Sequence, residues 1–318
     1  MSPLITIAIP TLKRLSYLKE SVQSALNQDY PSIEVLIGDD GENADLREWC
    51  EALVRRDSRV RYQQNAQRLG LSGNWNAIAS NACGKYLAII GDDDRLLPAF
   101  ARTLSPVMDS GVDAVFSNHY LIDHSGSRLE KDSQQYTRYF RRDSLRQGNL
   151  EKPEIQIWEN AVPMSASLLR TDAVRKIRFN ETLNTPEIEF FLRLVQEGAR
   201  FYFVPDYLSE YRVHDNSATA SGLWTDKLIE ALIPIPASPE MEPYKERFIS
   251  GLLFNGINRC LTQGDWKRGR ALVKNQYNQS KWNNLGAFFQ YVCSGLPKRI
   301  GWPLYQVIFQ VWNRMGKT

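Results

Sequence analysis

The side chains best placed to do chemistry are three consecutive carboxylates, Asp92, Asp93 and Asp94, at the end of the stretch Y86-L-A-I-I-G-D-D-D-R-L-L-P98. A short apolar run, a glycine and then acid is the layout of a buried parallel strand delivering side chains to its carboxyl end. Adjacent aspartates repel one another, which raises their pKa values unless a cation is near. The cation such a group selects is Mg²⁺ or Mn²⁺, because hard divalent ions take carboxylate oxygens and keep substrate phosphates as further ligands. A solvated acidic turn before a helix, with an aspartate as N-cap and Pro98 in the first turn, is the plain alternative. A second acidic turn, Gly38-Asp39-Asp40-Gly41, follows the apolar run I33-E-V-L-I37.

Leu4–Ile9 reads as a strand stopped by Pro10-Thr11. Leu15, Leu18, Val22, Ala25 and Leu26 then recur at helical spacing, with Ser16 as N-cap. After the Ile33–Ile37 strand the pattern predicts a helix through Ala44–Arg55, a strand at Val60–Tyr62, a polar segment over Gln63–Asn76, and a helix through Ala77–Ala82 leading into the Tyr86 strand. This β-α-β-α-β-α-β order predicts a parallel sheet with helices on both faces, both acidic turns projecting from the same edge. No G-x-G-x-x-G or G-x-x-x-x-G-K-[ST] is present, so nicotinamide, flavin and P-loop ATP chemistry are disfavoured. What remains is a carboxylate-lined, metal-dependent site for a phosphorylated ligand. Downstream, Val112–Ser117 reads as a strand, and the Ser/Arg/Gln-rich stretch to about Asn149 as a mobile loop. Uncharged Asn160–Leu169 suits a cleft lining, Thr185-Pro186 introduces a helix beginning near Glu187, and Phe201–Val204 is a further strand.

At 318 residues, 43% hydrophobic and 24% charged, the chain fits one large globular domain with an appendage. A net charge of +3 does not suggest a nucleic-acid binder. Cys50, Cys83, Cys260 and Cys293 are widely spaced, which argues against a zinc ribbon or disulfide scaffold and fits a reducing compartment. With neither a signal-peptide pattern nor a run of about 18 apolar residues, the expected place is the cytoplasm. The composition changes from about Leu223, and Ile233–Pro243 reads as a proline-rich linker. Beyond Asp265 there is no acidic residue, while Lys267, Arg268, Arg270, Lys274, Lys281, Lys298, Arg299, Arg314 and Lys317 are basic and Trp266, Trp282, Trp302 and Trp312 are interspersed. A basic, tryptophan-rich amphipathic end suits an anionic membrane surface, placing the protein peripherally on its cytoplasmic face. A helical cap docked on the domain or on a second subunit is the alternative.

Taken in order, I5-T-I-A-I-P-T-L-K-R14, V35-L-I-G-D-D-G41 and G84-K-Y-L-A-I-I-G-D-D-D94 resemble family 2 glycosyltransferases of the GT-A fold, as do S167-L-L-R170, F179-N-E-T-L183, E187-I-E-F-F-L-R-L194 and Y211-R-V-H214 further on. The resemblance covers roughly residues 4–217. It implies a GT-A-like, mostly parallel sheet flanked by helices over residues 1–222, with a nucleotide-binding half (1–100) and an acceptor half (101–222), followed by a helical extension over 223–318. It also implies nucleotide contacts from Pro10, Thr11, Arg14, Asp39, Asn76 and Asp93, with Asp39 on the base and Asp93 near the ribose. Asp94 is the implied metal ligand, with Asp92 and His214 beside it, Arg212 neutralising phosphate charge, and Mn²⁺ or Mg²⁺ as cofactor. The sequence departs from the family at Gly91, which stands where the first acid of D-x-D-D is usual.

The family's inverting members take the acceptor's proton with a carboxylate at the start of the corresponding helix. Alignment on Arg193 puts Glu187 at that position, after Pro186, with Glu189 as second candidate; a first-turn acid complementing the helix dipole is the alternative role. The implied activity is metal-dependent, inverting transfer of a sugar from a nucleotide-diphosphate sugar to a hydroxyl of a saccharide or lipid-linked acceptor, in bacterial surface-polysaccharide assembly. The rivals are a non-catalytic sugar-nucleotide or polysaccharide-binding protein, and a sugar-nucleotide pyrophosphorylase, whose glycine-rich first loop is absent.

Overall fold

A computed structural model describes residues 2–214, 224–278 and 285–315, without the side chains of 311–315. It divides into two compact units, Met1–Gly222 and Leu223–Thr318. The first begins β1 (Ile5–Thr11), α1 (Leu15–Leu26), β2 (Ile33–Asp39), α2 (Ala44–Arg56), β3 (Val60–Gln64), α3 (Gly70–Asn81), β4 (Tyr86–Ile89). It continues β5 (Arg95–Leu96), α4 (Phe100–Asp109), β6 (Ala114–Ile122), α5 (Glu130–Tyr139), β7 (Gly148–Asn149), α6 (Pro153–Trp158), β8 (Ser167–Arg170), α7 (Thr171–Ile177), α8 (Glu187–Gln196), β9 (Phe201–Arg212).

The sheet order is β3-β2-β1-β4-β8-β6-β9-β5, with β7 also on β9. β3, β2, β1 and β4 run parallel, β8 is antiparallel to β4 and to β6, and β9 is parallel to β6. Two reversals restore direction, so β6 and β9 point the same way as the first four strands. Residues just past β1, β2, β4 and β9 therefore arrive at one edge of the sheet. Every residue of β2 is buried, as expected of a parallel strand covered on both faces. Ile5, Ile7, Ile9, Val35, Ile37 and Ala88 form the core with Leu18, Val22 and Leu104 from the covering helices.

Three predicted details differ. The α1 N-cap is Arg14, whose side chain makes no capping bond, and Ser16 lies inside the first turn. The segment read as polar connection over Gln63–Asn76 contains the first half of α3, which starts at Gly70. It shows no apolar stripe because its buried face includes Ser72, Asn74 and Asn76, which are satisfied by tertiary hydrogen bonds. The expected mobile loop before Asn149 contains α5, which is anchored by polar contacts. Ser133 Oγ accepts from Leu121 N at 2.8 Å and donates to Leu129 O at 2.7 Å, and the Thr137 and Tyr207 hydroxyls lie 2.8 Å apart.

The second unit is helical: α9 (Thr225–Leu232), α10 (Glu242–Thr262), α11 (Trp266–Val273), α12 (Leu285–Gly295) and α13 (Lys298–Met315). The proline-rich stretch is a packed connection between α9 and α10 rather than a free linker. Ile235 and Met241 are buried, and Lys245 Nζ donates to Ile233 O and Ile235 O at 2.8 and 2.6 Å. Asp215–Ser217, Lys281, Trp282 and Lys317 lie outside the described residues, as do the side chains of Trp312 and Arg314.

Candidate active site

The three central aspartates leave β4 in different directions and acquire different partners. Asp92 Oδ2 accepts from Thr11 Oγ1 at 2.7 Å, and Asp92 Oδ1 is paired with Arg14 Nη2. Asp93 Oδ2 meets Arg14 Nη1 at 2.6 Å and His214 Nε2 at 2.9 Å. Asp94 Oδ1 accepts from the backbone N–H of Arg212 at 3.0 Å. The β1–β4 register, with Ala8 opposite Ile89, brings Thr11 and Arg14 within reach of these acids. Burial opposes the charge on Arg14, but the Asp92 and Asp93 carboxylates outweigh it and hold its pKa above the ordinary value.

Burial pushes the Asp92 carboxyl up, with Arg14 opposing. Asp94 is raised further, again by burial first and then by the charge of Asp93. Gly91 makes this crowding possible. A Cβ at residue 91 would stand 2.6 Å from Asp93 Oδ1 and 3.1 Å from Asp94 Oδ2, so the two oxygens flank a space that any side chain would fill. A side chain at residue 91 would displace the Asp93 carboxylate from this position, so the departure from D-x-D-D goes with the way Asp93 and Asp94 are held.

Arg212, expected to face phosphate, is instead buried at 1% exposure and serves as a clamp. Its Nε donates to Asp93 O at 2.8 Å, its Nη2 to Glu20 Oε2 at 2.6 Å and its Nη1 to His124 O at 3.2 Å. The guanidinium also stacks over Tyr17, 4.5 Å from the ring centroid, and His214 lies against the same ring at 5.2 Å. Neither Glu20 nor Tyr17 was legible as a site residue, since each meets Arg212 across almost the whole length of the first unit.

At the end of β2, Pro10 and Thr11 of β1 stand opposite Gly38 and Asp39. Asp39 is fully buried; its Oδ2 accepts from Tyr62 Oη at 2.8 Å and its Oδ1 from Gly41 N at 2.9 Å. Burial raises its pKa, and those two donors oppose the shift. Tyr62, missed in the sequence, carries one weak signal: an aromatic residue in the short strand paired with β2. Asp40 accepts from the N–H groups of Leu69 and Gly70 at 2.7 and 2.8 Å, where α3 begins.

Asn76 was expected beside the nucleotide, but its amide is taken up by the chain. It donates to Phe179 O and Glu181 Oε1, both at 2.9 Å, and accepts from Phe179 N at 2.8 Å. One turn earlier Ser72 Oγ donates to Leu183 O at 2.6 Å. These bonds fasten to α3 the loop that leads into α8, where Glu187 and Glu189 sit. Glu189 is held in a bidentate pair by Arg193, at 2.7 and 2.8 Å, one helical turn on. Among the described residues Glu187 has no such partner. It is partly accessible, yet so closely surrounded that burial pushes its carboxyl up to about 7.

The sequence model described as Glycosyl transferase family 2 matches residues 6–177, more than half of the chain. The chain belongs to this family. The match sets aside the pyrophosphorylase reading, and the enzyme is a glycosyltransferase of GT-A fold using a nucleotide-sugar donor. Among similar sequences, an uncharacterised glycosyltransferase of Methanocaldococcus jannaschii is 25% identical over 71% of this chain and 76% of its own length. The GalNAc(5)-diNAcBac-PP-undecaprenol beta-1,3-glucosyltransferase of Campylobacter jejuni is 30% identical, over 42% of this chain and 45% of that enzyme. That match spans less than half of the Campylobacter protein. In fold, the glycosyltransferase is similar to S. aureus TarS in complex with UDP-GlcNAc, with TM-score 0.59, 14% identity and 92% and 79% of the two chains covered. It is also similar to the mannosyltransferase PcManGT of Pyrobaculum calidifontis in complex with GDP-Man and Mn²⁺, with TM-score 0.58, 14% identity and 93% and 86% covered.

The residues of this glycosyltransferase fit a divalent ion in one place. Asp93 Oδ1 and Asp94 Oδ2 converge over Gly91, and no basic side chain bonds to Asp94 among the described residues. A hard cation held by one or two carboxylates, with waters and phosphate oxygens completing its shell, suits such a pair. The ligand set expected from sequence is not assembled as such: Asp92 is directed to Thr11 and Arg14, and His214 to Asp93. No group of three His, Cys, Asp or Glu side chains in metal-binding geometry is present among the described residues.

Proposed function

We propose that this glycosyltransferase is metal-dependent and inverting, and moves a sugar from a nucleotide-diphosphate sugar to a hydroxyl of a saccharide or lipid-linked saccharide acceptor. The observation that carries the reading is the contrast on α8. Glu189 is neutralised by Arg193, while Glu187, without a cationic partner among the described residues, keeps its carboxyl at about 7, the range in which a general base works best at neutral pH. In this reading Glu187 takes the acceptor's proton as its oxygen attacks the anomeric carbon. The attack opens a direct displacement through an oxocarbenium-like state.

Asp39, oriented by Tyr62, accepts a hydrogen bond from the nucleotide base, with Pro10 and Thr11 closing that side. Asp93 and Asp94 would hold Mn²⁺ or Mg²⁺, which would supply positive charge for the diphosphate leaving group. Arg14 adds a second positive charge beside the diphosphate, and His214 holds Asp93 in orientation. Asn76 acts through position, by fixing the loop before Glu187. A lipid-linked acceptor would place the enzyme at the cytoplasmic face of a membrane.

The test is thermal stabilisation of the full chain by a panel of nucleoside diphosphates, with and without Mn²⁺, for wild type and Asp94→Ala. The expected result is one nucleotide that stabilises only with metal and only the wild type. No shift with any nucleotide would overturn the reading in favour of a chain with a degraded site.

A further inference from the structure

Arg142, just after α5, is a cation buried without an anion. It is 2% exposed, yet among the described residues no carboxylate pairs with it. Its Nε and Nη2 have no hydrogen-bond partner, and Nη1 makes one long bond, to Ala161 O at 3.5 Å. The rings of Tyr136 and Phe140 lie 5.8 and 5.7 Å from the guanidinium carbon, and they offer π faces but no full negative charge. Burial pulls the pKa of Arg142 down to about 10, so the side chain still carries its charge at neutral pH. The backbone turns to put it inside. Arg141 takes the left-handed conformation at φ 57°, which an L side chain rarely adopts, and Arg141 and Asp143 stay exposed on either side.

The side chains nearby share this lack of partners. His119 of β6 is 3% exposed, and neither of its ring nitrogens is hydrogen-bonded. Burial, reinforced by the charge of Arg142, pushes its pKa well below the ordinary value, so the ring is neutral and offers one donor and one acceptor. Ser209 of β9, its register partner, has a buried hydroxyl that is also unpartnered. Of the twelve such buried atoms among the described residues, five belong to His119, Arg142 and Ser209, a concentration that a folded chain rarely carries without cause. The half-buried Tyr136 links the two charged-type side chains, its ring 5.4 Å from that of His119 and 5.8 Å from Arg142. The cluster adjoins the candidate metal site. Burial raises the pKa of Tyr136, Arg142 opposes the shift, and the charge of Asp94 adds to it. The His119 ring also lies 5.9 Å from that of Tyr211, the neighbour of the residue whose N–H holds Asp94.

We infer that Arg142, with His119 and Tyr136, receives a carboxylate carried by a substrate sugar, which makes that sugar a uronic acid. The inference rests on the donor site proposed above and names the class of sugar it serves. A hydroxyl group would satisfy the free N–H groups of Arg142 but leave its charge uncompensated, which is costly in a buried site. A carboxylate does both, through two parallel bonds to the planar guanidinium. The diphosphate of the donor has Arg14 and the metal for its own charge, so the anion left for Arg142 is a second one on the substrate. Tyr136 covers the pair, and a change of its rotamer, common when a ligand binds, opens the way to both.

The test is calorimetric titration of the full chain with Mn²⁺ present, comparing UDP-glucose with UDP-glucuronate and GDP-mannose with GDP-mannuronate, beside UDP and GDP alone. A further arm adds methyl glucuronide or methyl glucoside to the chain saturated with nucleoside diphosphate, so that a carboxylate on the acceptor is told apart from one on the donor. In one of the two arms the acidic sugar should bind at least about 30-fold more tightly than its neutral counterpart. Arg142→Met should abolish that preference and leave binding of the nucleoside diphosphate unchanged, while Arg142→Lys, which keeps the charge but not the fork, should retain part of it. Without ligand, Arg142→Met should melt no lower than the wild type, because it removes a buried charge that has no partner. Nucleoside diphosphates that bind with no preference for either acidic sugar would overturn this inference alone, as would a preference that survives Arg142→Met. A lower melting temperature for Arg142→Met would also overturn it, by making the guanidinium a structural tie. If no nucleoside diphosphate binds, the donor site itself fails and the inference with it.

Discussion

Glu187→Gln is expected to make the enzyme slower and, increasingly as pH rises above about 4.5, more stable. The carboxyl stands at about 7 in the fold against an ordinary value of 4.5, because burial disfavours its charge. Each pH unit between those values is worth about 1.4 kcal/mol, so the ionised side chain destabilises the folded state by up to about 3 kcal/mol, less whatever solvent reaches it. The sign follows from which state holds the proton. Below about 4.5 both folded and unfolded chains are protonated and the penalty is absent. It grows as the unfolded chain loses its proton first, and is complete above about 7. Glutamine carries no charge at any of these values, so urea denaturation should give equal stabilities at acid pH, within about 1 kcal/mol, and a variant more stable by up to about 3 kcal/mol at pH 8. Sugar transfer should fall by about 10²–10⁴ in kcat, the usual contribution of a general base, while donor affinity is kept. Wild-type kcat should rise with pH through about 7. A variant that retains more than about a tenth of wild-type kcat, or one no more stable at pH 8 than the wild type, would refute the assignment.

Three further substitutions probe the supports of the site. Gly91→Ala forces a methyl group against Asp93 Oδ1, so metal-dependent stabilisation by nucleotide should weaken at least about tenfold in a chain whose circular dichroism is unchanged. Asn76→Ala strips partners from both Phe179 N and Phe179 O; denaturation should show a loss of about 2–4 kcal/mol, and steady-state kinetics a lower kcat with little change in donor KM. Arg14→Gln leaves Asp92 and Asp93 to repel each other. The ligand-free melting temperature should drop, and Mn²⁺ alone should raise it more than in the wild type, whereas an equal effect of Mn²⁺ on both would show that Arg14 and the metal do not compete for the same charge.

The strands were legible because the parallel sheet is covered on both faces, which makes β1, β2 and β4 read as apolar runs ended by glycine, proline or acid. The acids Asp39 and Asp92–Asp94 were legible for the same reason, as the residues that follow such runs. What sequence did not disclose depends on contacts between distant residues. The half of α3 hidden in Gln63–Asn76 and the whole of α5 are stabilised by buried serine, threonine and asparagine hydrogen bonds, which leave no apolar period to read. Asn76 looked like a ligand contact because an asparagine that clips a loop and one that meets a nucleotide are the same letter. The difference between Glu187 and Glu189 lay in the i, i+4 partner of only one of them. Glu20 and Tyr17, on the polar side of an ordinary amphipathic helix, gave no sign of meeting Arg212.

The place of Arg212 in the chain sets an order on how the protein is made. Asp94 accepts from a backbone group 118 residues further along, and the guanidinium that fixes the carbonyl of Asp93 comes from the same residue, at the end of β9. A ribosome delivers the N-terminal half first. The acids of β4 therefore leave the exit tunnel before their clamp has been synthesised, and the cluster of like charges waits for the last strand of its own sheet. A chain stopped before Phe201 should fail to bind nucleotide even though it carries Asp39, Asp93 and Asp94.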